Sequence, residues 1–317
     1  MKEKVKVSLV QFAPEWLSRE KNAARLRGFA EREATGGAEL IVFPELANIG
    51  YISPARPGQP CSFENERDVV AFAARYAREA EPVPGQTTGL LGEVARKRGV
   101  YIVVGLAQSH NSVPGTLYNS AVLIGPEGVI GVHHKMHLPF NEKMFFYPGN
   151  TAEVFATGLG SIAMNICYDV RFPELSRVQA LKGAEIICSI WAAPKVMEIM
   201  GEVDTLKYRA YTRAQENSVY FIACNRSGKE GDMEYLGHSA IGAPNGEVIA
   251  YAASDEEVTL RAEMYGERLV KARGLMNIYR DRRPEMYSPI TEPLSQPYRQ
   301  PESRKLKRRP ARASKTG

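Results

Sequence analysis

Short β-rich runs alternate with helical segments along most of this chain of 317 residues. The alternation of Val5, Val7 and Leu9 predicts a first strand, and residues 18–34 have helical spacing and good helix-forming residues. Residues 39–45 predict a short buried strand that ends at a proline. The pattern continues, with further strands predicted at 100–108, 161–167, 185–190 and 219–225 and further helices at 66–80, 87–98, 173–182 and 202–217.

Two predicted hairpins interrupt this alternation. Residues 117–135 contain two strand-like runs joined by Gly-Pro-Glu-Gly, and residues 238–252 repeat the pattern around Pro-Asn-Gly. The repetition indicates internal pseudo-symmetry. Strand–helix units that place their helices on one face of a sheet, together with two hairpins, predict an α/β layered sandwich.

The composition does not change before about residue 275, so we predict one folded domain over residues 4–275. Residues 276–302 are polar and rich in proline, and we expect them to pack on the surface or against a partner subunit. Residues 303–317 contain seven basic and no acidic residues, which predicts a basic, disordered tail. A tether for nucleic acid or for an anionic membrane is the alternative function of this tail.

That tail accounts for the net charge of +5, because the preceding residues contain 34 basic and 36 acidic side chains. They have no basic patch, so no nucleic-acid partner is predicted. No run approaches the roughly 18 consecutive apolar residues of a membrane helix, and the first residues lack a signal-peptide pattern. We therefore expect a cytoplasmic protein without a membrane partner.

The four cysteines form no Cys-x-x-Cys pair, which is typical of free thiols in a reducing compartment. Cys167 ends an apolar strand, and Pro173 is well placed as the first residue of the next helix. Such a strand-to-helix elbow projects its side chain above the sheet edge and leaves backbone N–H groups free to hold an oxyanion. Cys167 is therefore a candidate nucleophile, although a small buried core residue is the commoner role of a lone cysteine.

Three histidines follow the first hairpin and raise the alternatives of a Cys–His pair or a metal site. His133, His134 and His137 do not share a helical face, and no other ligand set has the spacing of a zinc site, so no metal is predicted. Lys135 lies in the same segment, and Glu45 ends the second strand. A carboxylate, an ammonium group and a thiol are thus a third combination for this chemistry.

The stretch from Gly158 to Ala163 matches the Gly-x-Gly-x-x-Ala form of a dinucleotide-binding motif. It precedes a predicted strand, whereas a dinucleotide site needs such a motif after a strand and at the start of a helix. We interpret it as a turn into the strand that leads to Cys167, and we predict no nucleotide cofactor.

Three segments together resemble the nitrilase superfamily of carbon–nitrogen hydrolases. They are IVFPEL (41–46), HKMHLP (134–139) and NICYDVRFPEL (165–175), and each carries one member of a Glu, Lys, Cys triad. The likeness covers about residues 4–290. Supporting matches are LYNS (117–120), YPG (147–149), RAQEN (213–217), NRSG (225–228), GHS (237–239) and DRRP (281–284).

The resemblance implies a four-layer αββα sandwich and a homodimer formed through helices of one outer layer. It also implies that Cys167 is the nucleophile, that Glu45 is the general base and later acid, and that Lys135 is the cationic group near the oxyanion. Glu142 matches the family's fourth polar residue, with a surface loop glutamate as the alternative. The Tyr168 backbone N–H completes the oxyanion site, and no metal or organic cofactor is required.

The residues that follow the nucleophile favour a small-molecule, amide-type substrate. Members that hydrolyse nitriles typically have Trp-Glu there, whereas Tyr168-Asp169 is similar to the amidase and carbamoylase branches. D-specific carbamoylases carry two adjacent arginines, and here the first of these positions is Val170. Asp169, Arg171 and Glu174 are interpreted as structural ion-pair partners, with contact to an anionic substrate as the alternative for Arg171.

We therefore expect a hydrolase of linear amides, hydrazides or N-carbamoyl compounds that uses a cysteine thioester. A nitrilase and an N-carbamoyl amino acid or amine amidohydrolase are the alternatives, and a catalytically silent interaction protein and a nucleotide-binding protein lie outside this class. An apolar or aromatic acyl group fits the predicted pocket, and core or dimer contacts are the alternative role of its aromatic residues. The predicted substrate-binding residues are Tyr51, Phe146, Tyr168, Trp191 and Ala192.

Overall fold

A computed structural model of the chain describes residues 1–51, 66–195 and 204–293. Its strands are β1 (Lys4–Gln11), β2 (Leu40–Val42), β3 (Tyr101–Ser109), β4 (Leu117–Gly125), β5 (Gly128–His134), β6 (Val154–Thr157), β7 (Gly160–Ile166), β8 (Ile186–Trp191), β9 (Tyr220–Asn225), β10 (Lys229–Glu230), β11 (Met233–Glu234), β12 (Ala240–Gly242), β13 (Val248–Tyr251) and β14 (Val258–Tyr265). Its α-helices are α1 (Arg19–Thr35), α2 (Glu66–Glu79), α3 (Gln86–Arg98), α4 (Glu142–Phe145), α5 (Pro173–Leu181), α6 (Thr205–Asn217), α7 (Gly266–Leu275) and α8 (Ser288–Thr291).

Two six-stranded sheets repeat one topology, and a separate two-stranded ribbon pairs β10 with β11. In the first sheet β1, β2 and β3 are parallel and the β4–β5 hairpin continues them antiparallel. In the second sheet β7, β8 and β9 are parallel and β12 and β13 follow antiparallel. Each sheet is completed by one more antiparallel strand, β14 beside β1 and β6 beside β7. The pseudo-symmetry expected from the two hairpins is therefore present in the strand order.

The sheets pack face to face, and helices cover their outer faces, so the structure is a four-layer αββα sandwich. Val7 and Leu9 of β1 belong to the same central core cluster as Ile162 and Met164 of β7. On the opposite side of the first sheet, the helical residue Leu26 packs in a second cluster with strand residues. Helices α5 and α6 cover the second sheet in the same way. Because β8 is buried on both faces, its residues do not alternate between apolar and polar side chains.

The structure differs from the predicted elements at Trp191 and contains elements that the sequence analysis does not predict. The prediction that Trp191 lies in the loop after its strand is wrong, because β8 continues through Trp191. The period of two places this side chain on the face covered by α6, where it is 3% exposed. The strands β6 and β14 and the helix α7 were not predicted. The motif from Gly158 to Ala163 is a turn into β7, as expected, and this turn belongs to the β6–β7 hairpin.

The chain divides into two compact units, Met1–Tyr279 and Arg280–Gly317. The first contains both sheets. In the second, the described residues form a 3₁₀ turn at Pro284–Met286 and the helix α8. The predicted tail at 303–317, the end of the predicted extension at 294–302, and Cys61 lie outside the described residues. No helix within the described ranges is long and apolar enough to cross a bilayer.

Candidate active site

Cys167 follows β7 directly and begins a 3₁₀ turn that ends at Arg171, after which Pro173 opens α5. Its φ angle is +45°, a left-handed conformation that a residue with a side chain rarely adopts. Such backbone strain costs on the order of 1–3 kcal/mol and is concentrated at functional sites. The side chain is half-buried. The chain therefore turns at the position that the sequence predicts for the elbow.

Glu45 lies in the turn that follows β2, and its side chain is fully buried. Its Oε1 accepts hydrogen bonds from Lys135 Nζ and Asn119 Nδ2, each at 2.7 Å. Its Oε2 is also buried and has no hydrogen-bond partner among the described residues. A buried carboxylate oxygen without a partner costs free energy, which is tolerated where that oxygen must accept a proton.

The Glu45 turn crosses β3 at Gly105, where a side chain would overlap the backbone of the turn. A Cβ atom at this position would lie 2.3 Å from the Pro44 carbonyl oxygen and 2.5 Å from the Glu45 Cα. The Gly105 N–H donates to the Pro44 carbonyl oxygen at 3.1 Å. The close approach of two backbones therefore sets the position of the Glu45 carboxylate.

Lys135 comes directly after β5, and its side chain is fully buried. Its backbone N–H donates to the Asn119 carbonyl oxygen at 2.8 Å, and its own carbonyl oxygen accepts from Gly149 N–H at 2.9 Å. Nζ donates to Glu45 at 2.7 Å and to Glu142 at 2.6 Å. Burial alone would lower the pKa of this ammonium group, but the two carboxylates outweigh it and raise the pKa well above its usual value. Lys135 is therefore charged at all ordinary pH values.

Glu142 is the first residue of α4 and is fully buried, so the alternative of a surface loop glutamate is wrong. Its Oε1 accepts from Lys135 and from the Tyr51 hydroxyl, and its Oε2 accepts from Asn119 at 3.3 Å. Burial raises the pKa of Glu142 to about 7, assisted by the Glu45 charge and opposed by Lys135. Two carboxylates thus share one ammonium group.

The charges of this cluster also act on the Cys167 thiol. Burial raises the pKa of the thiol well above its usual value, and the carboxylates of Glu45 and Glu142 add to this effect. Lys135 and the backbone N–H of Ala192 lower it, but by less. The resting sulfur is therefore a neutral thiol, and a base must remove its proton before it can attack.

The residues predicted to bind substrate occupy different environments. The Tyr51 hydroxyl contacts Glu142, and the Ala192 backbone faces the thiol. Tyr168 is half-buried beside Phe172, at 5.5 Å between ring centroids, and near the Arg171 guanidinium. Trp191 donates to Ser189 inside the cluster below α6, and Phe146 packs 6.0 Å from the Tyr76 ring and is 4% exposed. The core role that was the alternative for these aromatic residues fits the burial of Trp191 and Phe146.

Two of the three histidines contact Asp169, which lies two residues after Cys167. Its Oδ1 lies 2.7 Å from His137 Nδ1 and its Oδ2 lies 3.2 Å from His133 Nε2. Asp169 also accepts from the backbone N–H groups of Ile166 and His137, at 3.1 and 2.9 Å. Burial would raise the pKa of Asp169, but these histidine contacts hold it far below its usual range. Asp169 therefore joins the segment of Lys135 to the turn of Cys167.

His134 points elsewhere. It stacks on Tyr118 at 4.1 Å and contacts Gln108, and burial lowers its pKa to about 4. Within the ranges 1–51, 66–195 and 204–293 there is no group of three or more His, Cys, Asp or Glu side chains arranged to hold a metal ion.

Asn119 is a site residue that sequence reasoning did not select. It binds both carboxylates through Nδ2 and supports Lys135 through its carbonyl oxygen. Its only signal in the sequence is its place in the LYNS segment, one of the supporting matches to the nitrilase superfamily. Arg213, in the RAQEN segment, has a similar supporting role because it donates to the Val170 carbonyl oxygen, in the 3₁₀ turn of Cys167, at 2.8 Å.

A model of the carbon-nitrogen hydrolase family matches residues 6–273. The chain is 36% identical over 291 residues to a nitrilase of Pyrococcus abyssi, covering 89% of this chain and 99% of that protein. It is 31% identical over 297 residues to the omega-amidase NIT2-A of Xenopus laevis, covering 90% and 97%. Among solved structures, Saccharomyces cerevisiae Nit3, a member of branch 10 of the nitrilase superfamily, aligns with a TM-score of 0.75 at 26% identity, covering 89% of this chain and 97% of that chain.

Proposed function

The chain belongs to the carbon–nitrogen hydrolase family, within the nitrilase superfamily, and from this premise we propose that it hydrolyses linear amide-type substrates through a thioester on Cys167. One observation carries the proposal. A neutral thiol on a strained elbow shares its surroundings with a buried glutamate whose Oε2 has no described hydrogen-bond partner. A thiol that must lose a proton and a carboxylate oxygen that can accept it are the two parts of nucleophilic catalysis.

In the first half-reaction, Glu45 takes the Cys167 proton as the sulfur attacks the substrate carbonyl carbon. The oxygen of the tetrahedral intermediate becomes negative and is stabilised by Lys135 and by the Tyr168 backbone N–H. Glu45 then returns the proton to the nitrogen, the carbon–nitrogen bond breaks, and ammonia or an amine leaves. The acyl group remains on the sulfur as a thioester.

In the second half-reaction, Glu45 removes a proton from a water molecule, and the resulting hydroxide attacks the thioester carbon. The carbon–sulfur bond breaks, the carboxylic acid leaves, and Cys167 regains the proton from Glu45. Glu142 keeps Lys135 between two carboxylates, which holds the ammonium group in place during both steps. This cycle uses side chains, the Tyr168 backbone N–H and water.

Two features support an amide-type substrate over a nitrile. The Tyr168-Asp169 pair resembles the amidase and carbamoylase branches, and the omega-amidase relative is similar over most of both chains. A nitrile is the second candidate, because the relative with 36% identity is named a nitrilase. A nitrile and an amide share the thiol attack and differ in the atom that becomes negatively charged.

The test is product release from a panel of aliphatic amides, aromatic amides, hydrazides, N-carbamoyl amino acids and nitriles. We expect turnover of carbonyl compounds by the wild-type protein and by Cys188→Ala, which removes a buried thiol of the core. We expect none from Cys167→Ala. Mass spectrometry of acid-quenched protein should show an acyl adduct that Cys167→Ala lacks. Nitrile turnover alone, or activity in Cys167→Ala, would overturn the proposal.

A further inference from the structure

A buried ion pair lies outside the catalytic cluster, which consists of Glu45, Lys135, Glu142 and Cys167, and has no role in the cycle above. Arg226 is 0% exposed, and its Nη1 donates to Oε1 of Glu230, which is 2% exposed. The Tyr235 hydroxyl donates to Glu230 Oε2 at 3.0 Å, and the Arg226 guanidinium lies 3.8 Å from the centre of the Tyr235 ring. Burying two charges is costly, and removing one partner of such a pair leaves the other charge buried and uncompensated.

The carboxylate of this pair meets the backbone that carries Tyr51. The Tyr51 N–H donates to both oxygens of Glu230 at 3.1 Å. The preceding residue is Gly50, with φ +81°, and a Cβ atom there would lie 2.2 Å from Glu230 Oε1. Glu230 therefore occupies the space that a side chain at position 50 would need, and the glycine permits this contact.

The two carbonyl oxygens of the same dipeptide are also held by side chains. Trp16 Nε1 donates to the Tyr51 carbonyl oxygen at 3.1 Å, and the Tyr76 hydroxyl donates to that of Gly50 at 3.0 Å. The backbone at Tyr51 thus has little freedom to move. Its side chain reaches the catalytic cluster, where the hydroxyl donates to Oε1 of Glu142.

We propose that Glu230, held by Arg226, is a positioning residue that acts on catalysis through Tyr51 by directing the Tyr51 hydroxyl onto Glu142. This inference rests on the proposed function, since Glu142 acts there beside Lys135. The chain of contacts runs from the ion pair to the Tyr51 backbone, then to its hydroxyl, and finally to the carboxylate that shares the ammonium group.

The effect of the Tyr51 hydroxyl on Glu142 depends on the groups that face this carboxylate. They are the charged side chains of Lys135 and Glu45 and the hydrogen-bond donors Tyr51 and Asn119. The hydrogen bond from Tyr51 favours the ionised form and lowers the pKa of Glu142. Without it, Glu142 binds a proton more readily, and Lys135 pairs with Glu45 alone. A more strongly paired Glu45 is a weaker base for the thiol, so kcat falls.

A double-mutant cycle tests this route of action, with Glu230→Gln and Tyr51→Phe as the two changes. We expect each single variant to lower kcat about tenfold, the effect of one hydrogen bond to a charged group, with little change in KM. The double variant should lose no more than the larger single loss, because both act through one hydroxyl. A loss of about a hundredfold in the double variant, or a change in KM alone, overturns the proposal.

The control is Glu33→Gln, which changes another buried carboxylate that contacts an arginine, the exposed Arg261 at 2.7 Å, away from the catalytic cluster. It should leave kcat unchanged. Should Glu230→Gln fail to fold, Tyr235→Phe takes its place in the cycle, because it removes one hydrogen bond from Glu230 and keeps the ion pair.

A second readout needs no substrate. The rate of Cys167 alkylation by iodoacetamide is measured against pH in the wild type, Tyr51→Phe and Glu230→Gln. We expect the pH profiles of alkylation in the two variants to coincide with each other and to be displaced from the profile of the wild type. Three coincident profiles overturn the positioning role whatever the substrate panel shows. A panel without any turnover, combined with displaced profiles, contradicts the proposed function and supports the positioning role.

Discussion

Glu142 is a buried carboxylate whose protonation differs between the folded and unfolded protein. Its pKa is raised from 4.5 to about 7, first by burial and then by the Glu45 charge, while Lys135 and the Tyr51 hydroxyl oppose the rise. Between these two values the folded state binds the proton more tightly than the unfolded chain does. The contribution of Glu142 to stability therefore declines as the pH rises from about 4.5 to 7 and is constant above that.

Glu142→Gln removes this titration and should change how stability depends on pH. We expect the free energy of unfolding of the wild type, relative to that of the variant, to fall as the pH rises from 5 to about 7 and then to level off. Urea denaturation at pH 5, 6, 7 and 8 measures this difference. A difference that is the same at all four pH values would contradict the raised pKa.

The catalytic candidates are brought together at the element scale by strand ends. Glu45 follows β2 and Lys135 follows β5 in the first sheet, whereas Cys167 follows β7 in the second. The face-to-face packing of the sheets therefore places the proposed base, Glu45, near the proposed nucleophile, Cys167. The Asp169 contacts with His133 and His137 connect the two sheets at this edge.

Gly105→Ala tests whether the crossing of β3 and the Glu45 turn fixes the position of the Glu45 carboxylate. The Cβ added at position 105 would overlap the backbone of Pro44 and Glu45, so the turn that carries Glu45 must shift. We expect a loss of about 1–3 kcal/mol in the free energy of unfolding, as for other overpacked sites. Because small displacements of a catalytic group are costly, kcat should fall at least about tenfold.

The control for this change is Gly28→Ala in α1, where an added Cβ meets no heavy atom within 4 Å. This variant should be at least as stable as the wild type, because alanine favours the helix over glycine, and its turnover should be normal. Equal turnover and equal melting temperatures for Gly105→Ala and Gly28→Ala would show that the crossing at Gly105 does not fix the position of the Glu45 carboxylate.

At the scale of the whole molecule, the outer faces of α5 and α6 carry exposed apolar side chains. Such faces are common at interfaces between subunits. The resemblance to the nitrilase superfamily implies a dimer through one helical layer, and we keep this as a prediction for these two helices. The exposed residues are Val178 and Leu181 on α5 and Tyr208 and Tyr211 on α6.

Sedimentation velocity tests the predicted dimer. The wild type should sediment as a dimer at micromolar concentration, and Leu181→Asp should shift it toward the monomer, because a buried unpaired charge opposes association. Leu275→Asp, at an exposed leucine of α7, is the matched control and should leave the dimer intact. A wild type that sediments as a monomer would exclude this interface.

Much of the fold was predictable because its signals are local. Apolar runs, Pro173 and the turn residues of the two hairpins act on their immediate neighbours, and the corresponding elements lie close to their predicted bounds. The strand β14 was missed because it lies at the sheet edge, where its residues are mostly half-exposed, and because its pairing with β1 joins distant parts of the chain. Trp191 was misplaced because a strand end carries no distinct local signal.

Sequence alone determined the layered α/β class and the strand-end positions of Glu45, Lys135 and Cys167, since periodicity and turn chemistry depend on neighbouring residues. Tertiary structure alone decided that Lys135 is shared between Glu45 and Glu142. It also decided that Tyr51 contacts Glu230, which lies 179 positions away in the chain, and Glu142, which lies 91 positions away. Burial and charge at a site are sums over groups that only folding brings together, so no local pattern contains them.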